Sequence, residues 1–274
     1  MNCLFGRYLF SINGDVKACS SILDKWIVPE EETDSLKIDS ELHLEIDSSL
    51  AGLHLDDGWN EIKYDTGSAA VYSREGKALF SLRYSLDDNK VYISFAKEDY
   101  TAVKIGLQYG MMLALTSHCV GLHGVTVLCE NEIIILSAPS GTGKTTLSKL
   151  LEKYADAIVI NGDFALLSPT EEGLIYEPTP FCGSSGRSLN QRIKVNRIVF
   201  LEQSKENIWY NLSVRDAVLR LMNNSFVPEW DRILTQRIQE NIYNCINTIP
   251  INAFAFAPEK QAADVFIQNL NPAM

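Results

Sequence analysis

Ile133-Ile-Ile-Leu-Ser-Ala-Pro-Ser-Gly-Thr-Gly-Lys-Thr-Thr146 is an apolar run that leads through a glycine-rich turn into the helical pattern Leu147 to Leu151. A strand, a glycine turn and a helix in this order form a cradle for phosphates. Glycines let successive backbone N–H groups point inward, and the helix N-terminus adds a positive dipole end. The stretch therefore predicts an α/β fold built around a loop that binds a nucleoside triphosphate.

The spacing of the loop agrees with the P-loop pattern G-x-x-x-x-G-K-[ST] except at Ala138, where the pattern has glycine. In that pattern, Lys144 reaches the β- and γ-phosphates and the Thr145 hydroxyl binds Mg²⁺. We therefore expect ATP and Mg²⁺ as ligand and cofactor. The candidate nucleotide-binding residues are Ser140, Gly141, Thr142, Gly143, Lys144, Thr145 and Thr146.

Asp163 and His123 are the candidate catalytic groups on either side of this loop in the sequence. Asp163 follows the apolar run that ends at Ile160, where nucleotide-binding α/β proteins place a carboxylate near the metal. We expect it to bind Mg²⁺ together with Thr145, and the alternative is an Asp that only shapes a turn. His123 begins the strand whose hairpin partner feeds the loop, so either group could accept the proton of an attacking hydroxyl, although a structural histidine is the alternative.

Arg187 belongs to a segment, residues 181–197, that contains four cations and no acid in an otherwise acidic chain. The pattern is typical of a mobile basic lid. We expect Arg187 to bind a phosphoryl group or a substrate anion, because a guanidinium binds such oxygens bidentately. The alternative is a solvated loop whose charges are incidental.

The composition excludes several classes of partner. The chain has 35 acidic and 24 basic residues and a formal net charge of −11, which argues against nucleic acid or an anionic membrane as a partner. It also lacks a basic segment followed by a long apolar one and any run of about 18 apolar residues, so we expect a cytoplasmic protein. Six cysteines occur without a C-x-x-C pair, which indicates reduced, packed thiols.

Two domains are expected from the patterns along the chain. Short alternating segments between residues 42 and 95, separated by Gly, Asp and Asn turns, predict antiparallel strands. A helical pattern then runs from Asp99 to Cys119. We therefore predict a β-rich (α+β) N-terminal domain over residues 1–119 that ends in a linking helix, and a nucleotide-binding domain over residues 120–274.

Three motifs resemble those of the HPr kinase/phosphorylase-related proteins, which share a nucleotide core with phosphoenolpyruvate carboxykinases. The motifs are His123-Gly-Val125, Ala138-Pro-Ser-Gly-Thr-Gly-Lys-Thr-Thr146 and Asn161-Gly-Asp163. The resemblance spans roughly residues 121–266. It implies a carboxykinase-like P-loop core with a mixed sheet, in which Ala138 is tolerated.

The resemblance also implies an activity. It predicts a phosphotransferase with an alcohol group as acceptor, in which His123 and Asp163 promote attack of a serine hydroxyl of a protein or peptide on the γ-phosphate of ATP. It further implies a homo-oligomer. Family members commonly carry two adjacent acids, and Gly162 stands here in place of the first. A nucleotide-binding sensor without turnover and a kinase acting on a small molecule are therefore the alternatives.

Overall fold

The structure is a computed structural model of the chain. It describes residues 1–14, 16–29, 33, 37–64, 67–85 and 88–270. The chain divides into two compact units, one formed by residues 1–116 with 228–234 and the other by residues 117–227 with those from 235 onward. Each unit contains one mixed β-sheet with helices, so the architecture is α/β.

The first unit contains a seven-stranded sheet in the order β1-β2-β3-β7-β6-β5-β4. Its strands are β1 (Asn2–Phe5), β2 (Tyr8–Asn13), β3 (Ser40–Ile46), β4 (Gly58–Tyr64), β5 (Gly67–Arg74), β6 (Lys77–Ser85) and β7 (Lys90–Phe95). Helices α1 (Lys17–Leu23) and α2 (Tyr100–Ala114) belong to this unit, together with short 3-10 turns at Asp24–Trp26 and Ser48–Gly52.

The direction of β3 differs from the expectation that the strands between residues 42 and 95 are antiparallel. Strands β4 to β7 are antiparallel neighbours, but β3 runs parallel to both β2 and β7. Alternation of apolar and polar residues fixes which face of a strand is buried and leaves the direction of its neighbour open. The chain leaves β3, forms β4 to β6 at the edge of the sheet, and returns beside β3 as β7.

Helix α2 packs on this sheet through a face of small and apolar residues. Asp99 caps its N-terminus, since the Oδ1 atom accepts a hydrogen bond of 3.0 Å from the Ala102 amide. A Cβ atom on Gly106 would lie 2.6 Å from Cε1 of the buried Phe95, so helix and sheet approach closely here. The sequence pattern continues to Cys119, whereas the helix ends at Ala114.

The second unit contains a nine-stranded sheet in the order β13-β12-β11-β8-β9-β14-β16-β15, with β10 paired to β8. Its strands are β8 (Val120–Cys129), β9 (Glu132–Ser137), β10 (Ile158–Asn161), β11 (Phe164–Thr170), β12 (Gly173–Glu177), β13 (Ile193–Lys194), β14 (Arg197–Gln203), β15 (Ile208–Asn211) and β16 (Ile251–Phe256). Its helices are α3 (Lys144–Tyr154), α4 (Val214–Asn224), α5 (Arg232–Thr248) and α6 (Lys260–Leu270), with a 3-10 turn at Gly183–Ser185.

Strand β9 lies inside this sheet and is covered on both faces. Ile134 and Leu136 pack in one cluster with residues of α3 and α6, whereas Ile133 and Ile135 pack in another with residues of α4 and α5. A strand covered on both faces is apolar along its whole length, which explains the run in the sequence. Strands β9, β14 and β16 are parallel, so their carboxyl ends meet at one edge.

Among the helices that the structure describes, none combines the length and the apolar character needed to cross a membrane.

Candidate functional site

The glycine turn connects the end of β9 to the start of α3. Gly141 and Gly143 have φ angles of 80° and 116°, in the left-handed region that glycine enters without a steric penalty. Gly143 is also the N-cap of α3 and provides no side chain to cover the first N–H groups of the helix. The start of α3 therefore presents backbone donors of the kind that bind an anion.

The side chain of Lys144 reaches back to the start of the glycine turn. Its Nζ atom donates hydrogen bonds to the carbonyl oxygens of Ala138 (2.6 Å) and Pro139 (3.1 Å), and its side chain is buried. Burial lowers the pKa of the lysine, and the negative charge of Asp163 opposes that shift. The methyl group of Ala138 lies in the core cluster that also contains Leu147, so alanine fits where the P-loop pattern has glycine.

The other predicted loop residues are open to solvent or partly so. Ser140, Gly141, Thr145 and Thr146 are exposed, and Thr142 and Gly143 are partly buried. The hydroxyl of Thr145 is therefore available to a metal or a phosphate. The turn places all seven predicted nucleotide-binding residues along one short path at the carboxyl end of β9.

His123 and Asp163 are brought together by antiparallel pairing of β8 and β11. The register sets His123 opposite Phe164, and the Gly124 amide donates a 2.9 Å hydrogen bond to the Asp163 carbonyl. The Nδ1 atom of His123 lies 3.6 Å from Oδ1 of Asp163, and the two side chains are 39% and 45% exposed. The two candidate catalytic groups therefore form one half-open pair.

The charge of Lys144, in the glycine turn, acts on both members of this pair. Burial and the positive charge of Lys144 lower the pKa of His123 below its usual value of about 6.5, and Asp163 opposes the shift. The imidazole is therefore neutral at pH 7 and able to accept a proton. Lys144, His123 and Asp163 form one interacting group, which we call the Lys-His-Asp cluster.

Asn161 positions Asp163, a role that the sequence patterns did not suggest. Its fully buried side chain accepts hydrogen bonds of 3.1 Å from the amides of Asp163 and Phe164. Its Nδ2 atom donates to the Tyr176 hydroxyl (3.2 Å) and to the Phe181 carbonyl (3.1 Å). These hydrogen bonds fix the backbone from which the Asp163 side chain extends.

The chain around Ser185 covers residue 162, where the resemblance implies an acid and this chain has glycine. A Cβ atom on Gly162 would overlap Oγ of Ser185, so a carboxylate does not fit at residue 162 in this arrangement. Gly183 adopts a left-handed φ of 60°, and a Cβ there would lie 2.6 Å from Cβ of Asp163. The turn from Cys182 to Gly186 therefore rests directly on Asp163, and it was not identified from the sequence.

Arg187 is paired with an acidic side chain in this structure. Its guanidinium forms an ion pair with Glu152 on α3, and its side chain is 53% exposed. Two other cations of the segment also pair with carboxylates: Arg192 with the fully buried Glu177, and Arg197 with Glu132. Three of the four cations in the segment expected to form a basic lid therefore pair with acidic side chains of the same unit.

A cavity of about 620 Å³ adjoins the turn at the carboxyl ends of β9 and β14. It is lined by Ala138–Thr142, Phe200–Gln203, Arg220, Asn223 and Asn224. Glu202 stands on one wall of this cavity. Burial raises the pKa of its carboxyl, but the hydrogen bonds from Arg220 and Tyr210 lower it by more, so the pKa lies below its usual value. Clefts at such strand ends are the usual ligand sites of α/β sheets.

Comparisons with known proteins add little beyond the fold. No family model matches the sequence, and no curated protein matches it. The fold weakly resembles that of an HPr kinase. The solved structure of the Hpr(Ser) kinase/phosphatase from Coxiella burnetii is 10% identical, with a TM-score of 0.33, and the match covers 56% of this chain and 90% of that one. A likeness of this size carries no information about activity, for which the site residues are the evidence.

Proposed function

We propose that this chain binds ATP with Mg²⁺ at the glycine turn and transfers the γ-phosphoryl group to a hydroxyl, most simply a serine of a protein or peptide. The observation that carries the proposal is the Lys-His-Asp cluster. A buried ammonium that closes a glycine turn acts electrostatically on a histidine and a carboxylate that lie 3.6 Å apart. These are the groups that phosphoryl transfer requires: a cation for the phosphates, a proton acceptor and a metal ligand.

The phosphates would be held by the backbone N–H groups at the start of α3 and by Lys144. Binding requires the Lys144 ammonium to exchange the carbonyl oxygens of Ala138 and Pro139 for phosphate oxygens. A phosphate carries full negative charges and the carbonyls do not, so the exchange favours the ligand.

Thr145 and Asp163 are the proposed ligands of Mg²⁺. Within the described residues no group of three or more His, Cys, Asp or Glu side chains could hold a metal ion. Two protein oxygens supplemented by phosphate oxygens and water are typical of Mg²⁺ that arrives with a nucleotide. The bound metal supplies neutralisation of the charge on the phosphates.

His123 is the preferred proton acceptor. Its pKa is lowered, so the imidazole is neutral at pH 7 and can take the proton of the attacking hydroxyl. Asp163 stands close enough to stabilise the resulting imidazolium. Arg187 steadies the transferred group only if its guanidinium leaves Glu152, so we assign it a secondary role.

The cavity beside the turn is proposed to take the nucleoside. Its volume of about 620 Å³ lies within the range of about 300–1,000 Å³ that is usual for small-molecule pockets. His123 and Asp163 lie on the β8 side of β9, the cavity lies on the β14 side, and Lys144 contacts Ala138 and Pro139 of the cavity lining. A triphosphate that crosses the turn would place its γ-phosphate at the cluster and its nucleoside in the cavity.

A nucleotide sensor without turnover is the second candidate function. It is favoured by one observation, the overlap between a side chain at Gly162 and Ser185, which leaves a single acid at this point of the site. A sensor would bind nucleotide and form no phosphorylated product.

The test is an assay with ATP labelled on the γ-phosphate, Mg²⁺, serine-containing peptides and cell extract. We expect a labelled product with the native protein, and a loss of about 10²- to 10⁴-fold in rate with His123→Asn. Asp163→Asn should abolish transfer, whereas the matched control Asp156→Asn, at an exposed acid after α3, should leave it unchanged. Binding without any product would favour the sensor, and transfer that survives Asp163→Asn would contradict the assignment.

A further inference from the structure

We propose that Ser185 is itself a phosphoryl acceptor, so that the chain phosphorylates its own turn at the site. This inference rests on the proposed function. It starts from the position of the Ser185 hydroxyl, which occupies the space where a side chain of Gly162 would begin, one residue before Asp163. A serine hydroxyl thus lies against the backbone of the residue that precedes the proposed catalytic Asp163.

The backbone of the turn that carries Ser185 packs closely against Asp163. Gly183 adopts a left-handed φ of 60°, and a Cβ on this residue would come 2.6 Å from Cβ and 2.8 Å from Cγ of Asp163. Glycine at position 183 is therefore what allows the backbone to reach the carboxylate. Gly186, with a φ of 65°, ends the turn in the same left-handed region.

Ser185 is held in place but remains exposed. Its Oγ atom donates a 2.7 Å hydrogen bond to the Cys182 carbonyl and accepts one of 3.1 Å from the Arg187 amide. The residue is exposed to solvent, as is nearly half of the Asp163 side chain. An acceptor hydroxyl must be both positioned and reachable, and this one meets both conditions.

The reaction is balanced without a further reagent. The Ser185 Oγ atom forms a bond to the γ-phosphorus of ATP, the bond from that phosphorus to the β,γ-bridging oxygen breaks, and ADP leaves. The hydroxyl proton passes to His123 or Asp163 and from there to water. Arg187, two residues after the new phosphoserine, would then offer a guanidinium to the added charge in place of Glu152.

The experiment incubates the purified full chain with Mg²⁺ and γ-labelled ATP and maps label retained on the protein by mass spectrometry. We expect one phosphate on Ser185 and a first-order rate that does not depend on protein concentration. Ser185→Ala should lose the label. Ser188→Ala, a matched change in the same segment, should keep it, and thermal melting checks that both variants fold.

A mixing experiment separates transfer within one chain from transfer between chains. When Lys144→Ala protein of different mass is mixed with the native protein, only the native chain should acquire label. Label on the Lys144→Ala chain, label at another residue, or no label on the chain would overturn the proposal.

Calorimetry of Mg²⁺-ATP binding to the same samples shows whether a negative result counts against this inference alone or also against the proposed function. Nucleotide binding with transfer to other molecules but without label on Ser185 removes this inference and leaves the proposed function standing. Absence of nucleotide binding removes both.

Discussion

The imidazole of His123 is influenced by one positive and one negative charge. Burial and the charge of Lys144 lower its pKa by more than the charge of Asp163 raises it. The folded protein therefore binds a proton at this residue less readily than the unfolded chain, whose histidine titrates near 6.5. Stability contributed by the neutral imidazole is present above that pH and is lost as the pH falls through the lowered folded pKa.

We therefore expect the melting temperature of the native protein to fall between pH 7.5 and pH 5.5 more steeply than that of His123→Gln. The control is His54→Gln, at an exposed histidine, which should keep the native dependence. Thermal melts at several pH values measure the difference. Identical pH dependence in native and His123→Gln protein would contradict the stated environment of the imidazole.

Gly162 offers a second prediction at the scale of single residues. Gly162→Asp introduces a side chain that overlaps Ser185, and overpacking of this kind costs about 1–3 kcal/mol of unfolding free energy. Adding Ser185→Gly should recover much of that loss. Gly52→Asp is the control, because a Cβ on Gly52 meets nothing within 4 Å. Urea unfolding measures all four proteins, and Gly162→Asp with native stability would show that the turn does not cover this residue.

The same residues show what a sequence can and cannot predict about a site. The glycine turn is readable because Gly141, Gly143 and Lys144 act through local backbone geometry. That residue 162 is glycine, where the resemblance implies an acid, is also visible in the sequence. That Ser185 fills its place, and that Glu152 pairs with Arg187, depends on how distant segments fold back. Such contacts between distant segments cannot be predicted from the spacing of residues along the sequence.

Among the elements, helix α2 is the one whose packing contradicts simple helix propensity. Replacing glycine by alanine inside a helix normally stabilises it by about 1 kcal/mol. At Gly106, however, the new methyl group would lie 2.6 Å from the ring of Phe95, which is fully buried and rigid. Overpacking against such a ring costs about 1–3 kcal/mol, so the clash outweighs the gain in propensity.

We therefore expect Gly106→Ala to lower the free energy of unfolding by up to about 2 kcal/mol. Gly110→Ala is the matched comparison one turn later, where the nearest atom is the flexible end of Ile93 and the loss should be smaller. Urea denaturation gives both values. A Gly106→Ala protein more stable than the native one would show that α2 does not approach the sheet this closely.

Prediction at the scale of elements succeeded where the signal was local. The order β9, glycine turn and α3 follows from one apolar run, two glycines and an amphipathic segment that are contiguous in the chain. The parallel direction of β3 was missed, because its neighbour β7 lies more than one hairpin away in sequence. Strand direction is a property of the whole sheet.

At the scale of the whole molecule, the reactivity of the six cysteines tests how tightly the core is packed. All six are buried and none of them forms a disulfide, which agrees with the packed thiols expected from the sequence. Burial raises the pKa of Cys129 to about 11 and that of Cys245 to about 12, so little reactive thiolate forms at pH 8. We expect a thiol reagent to modify none of them rapidly in the folded protein and all six in denaturant. Rapid modification of even one in the folded protein would contradict the packing described.

The net charge of −11 shapes the molecule as a whole, and the proposed anion site is a local exception to it. Backbone N–H groups and the ammonium of Lys144 supply the positive potential at the turn, while Arg187, Arg192 and Arg197 are paired with acids. A ligand with several negative charges must therefore be recognised at short range. Affinity should depend strongly on Lys144 and weakly on cations elsewhere.

Calorimetric titration of Mg²⁺-ATP into the native protein, Lys144→Ala and Lys149→Ala tests this most directly. Lys149 is an exposed lysine on the same helix, α3, and serves as the matched control. We expect binding by the native protein and Lys149→Ala, and an affinity about ten- to a hundredfold weaker for Lys144→Ala, since hydrogen bonds to a charged group are lost. No binding heat from the native protein at millimolar ATP, or equal affinity in Lys144→Ala, would contradict a nucleotide site at the glycine turn.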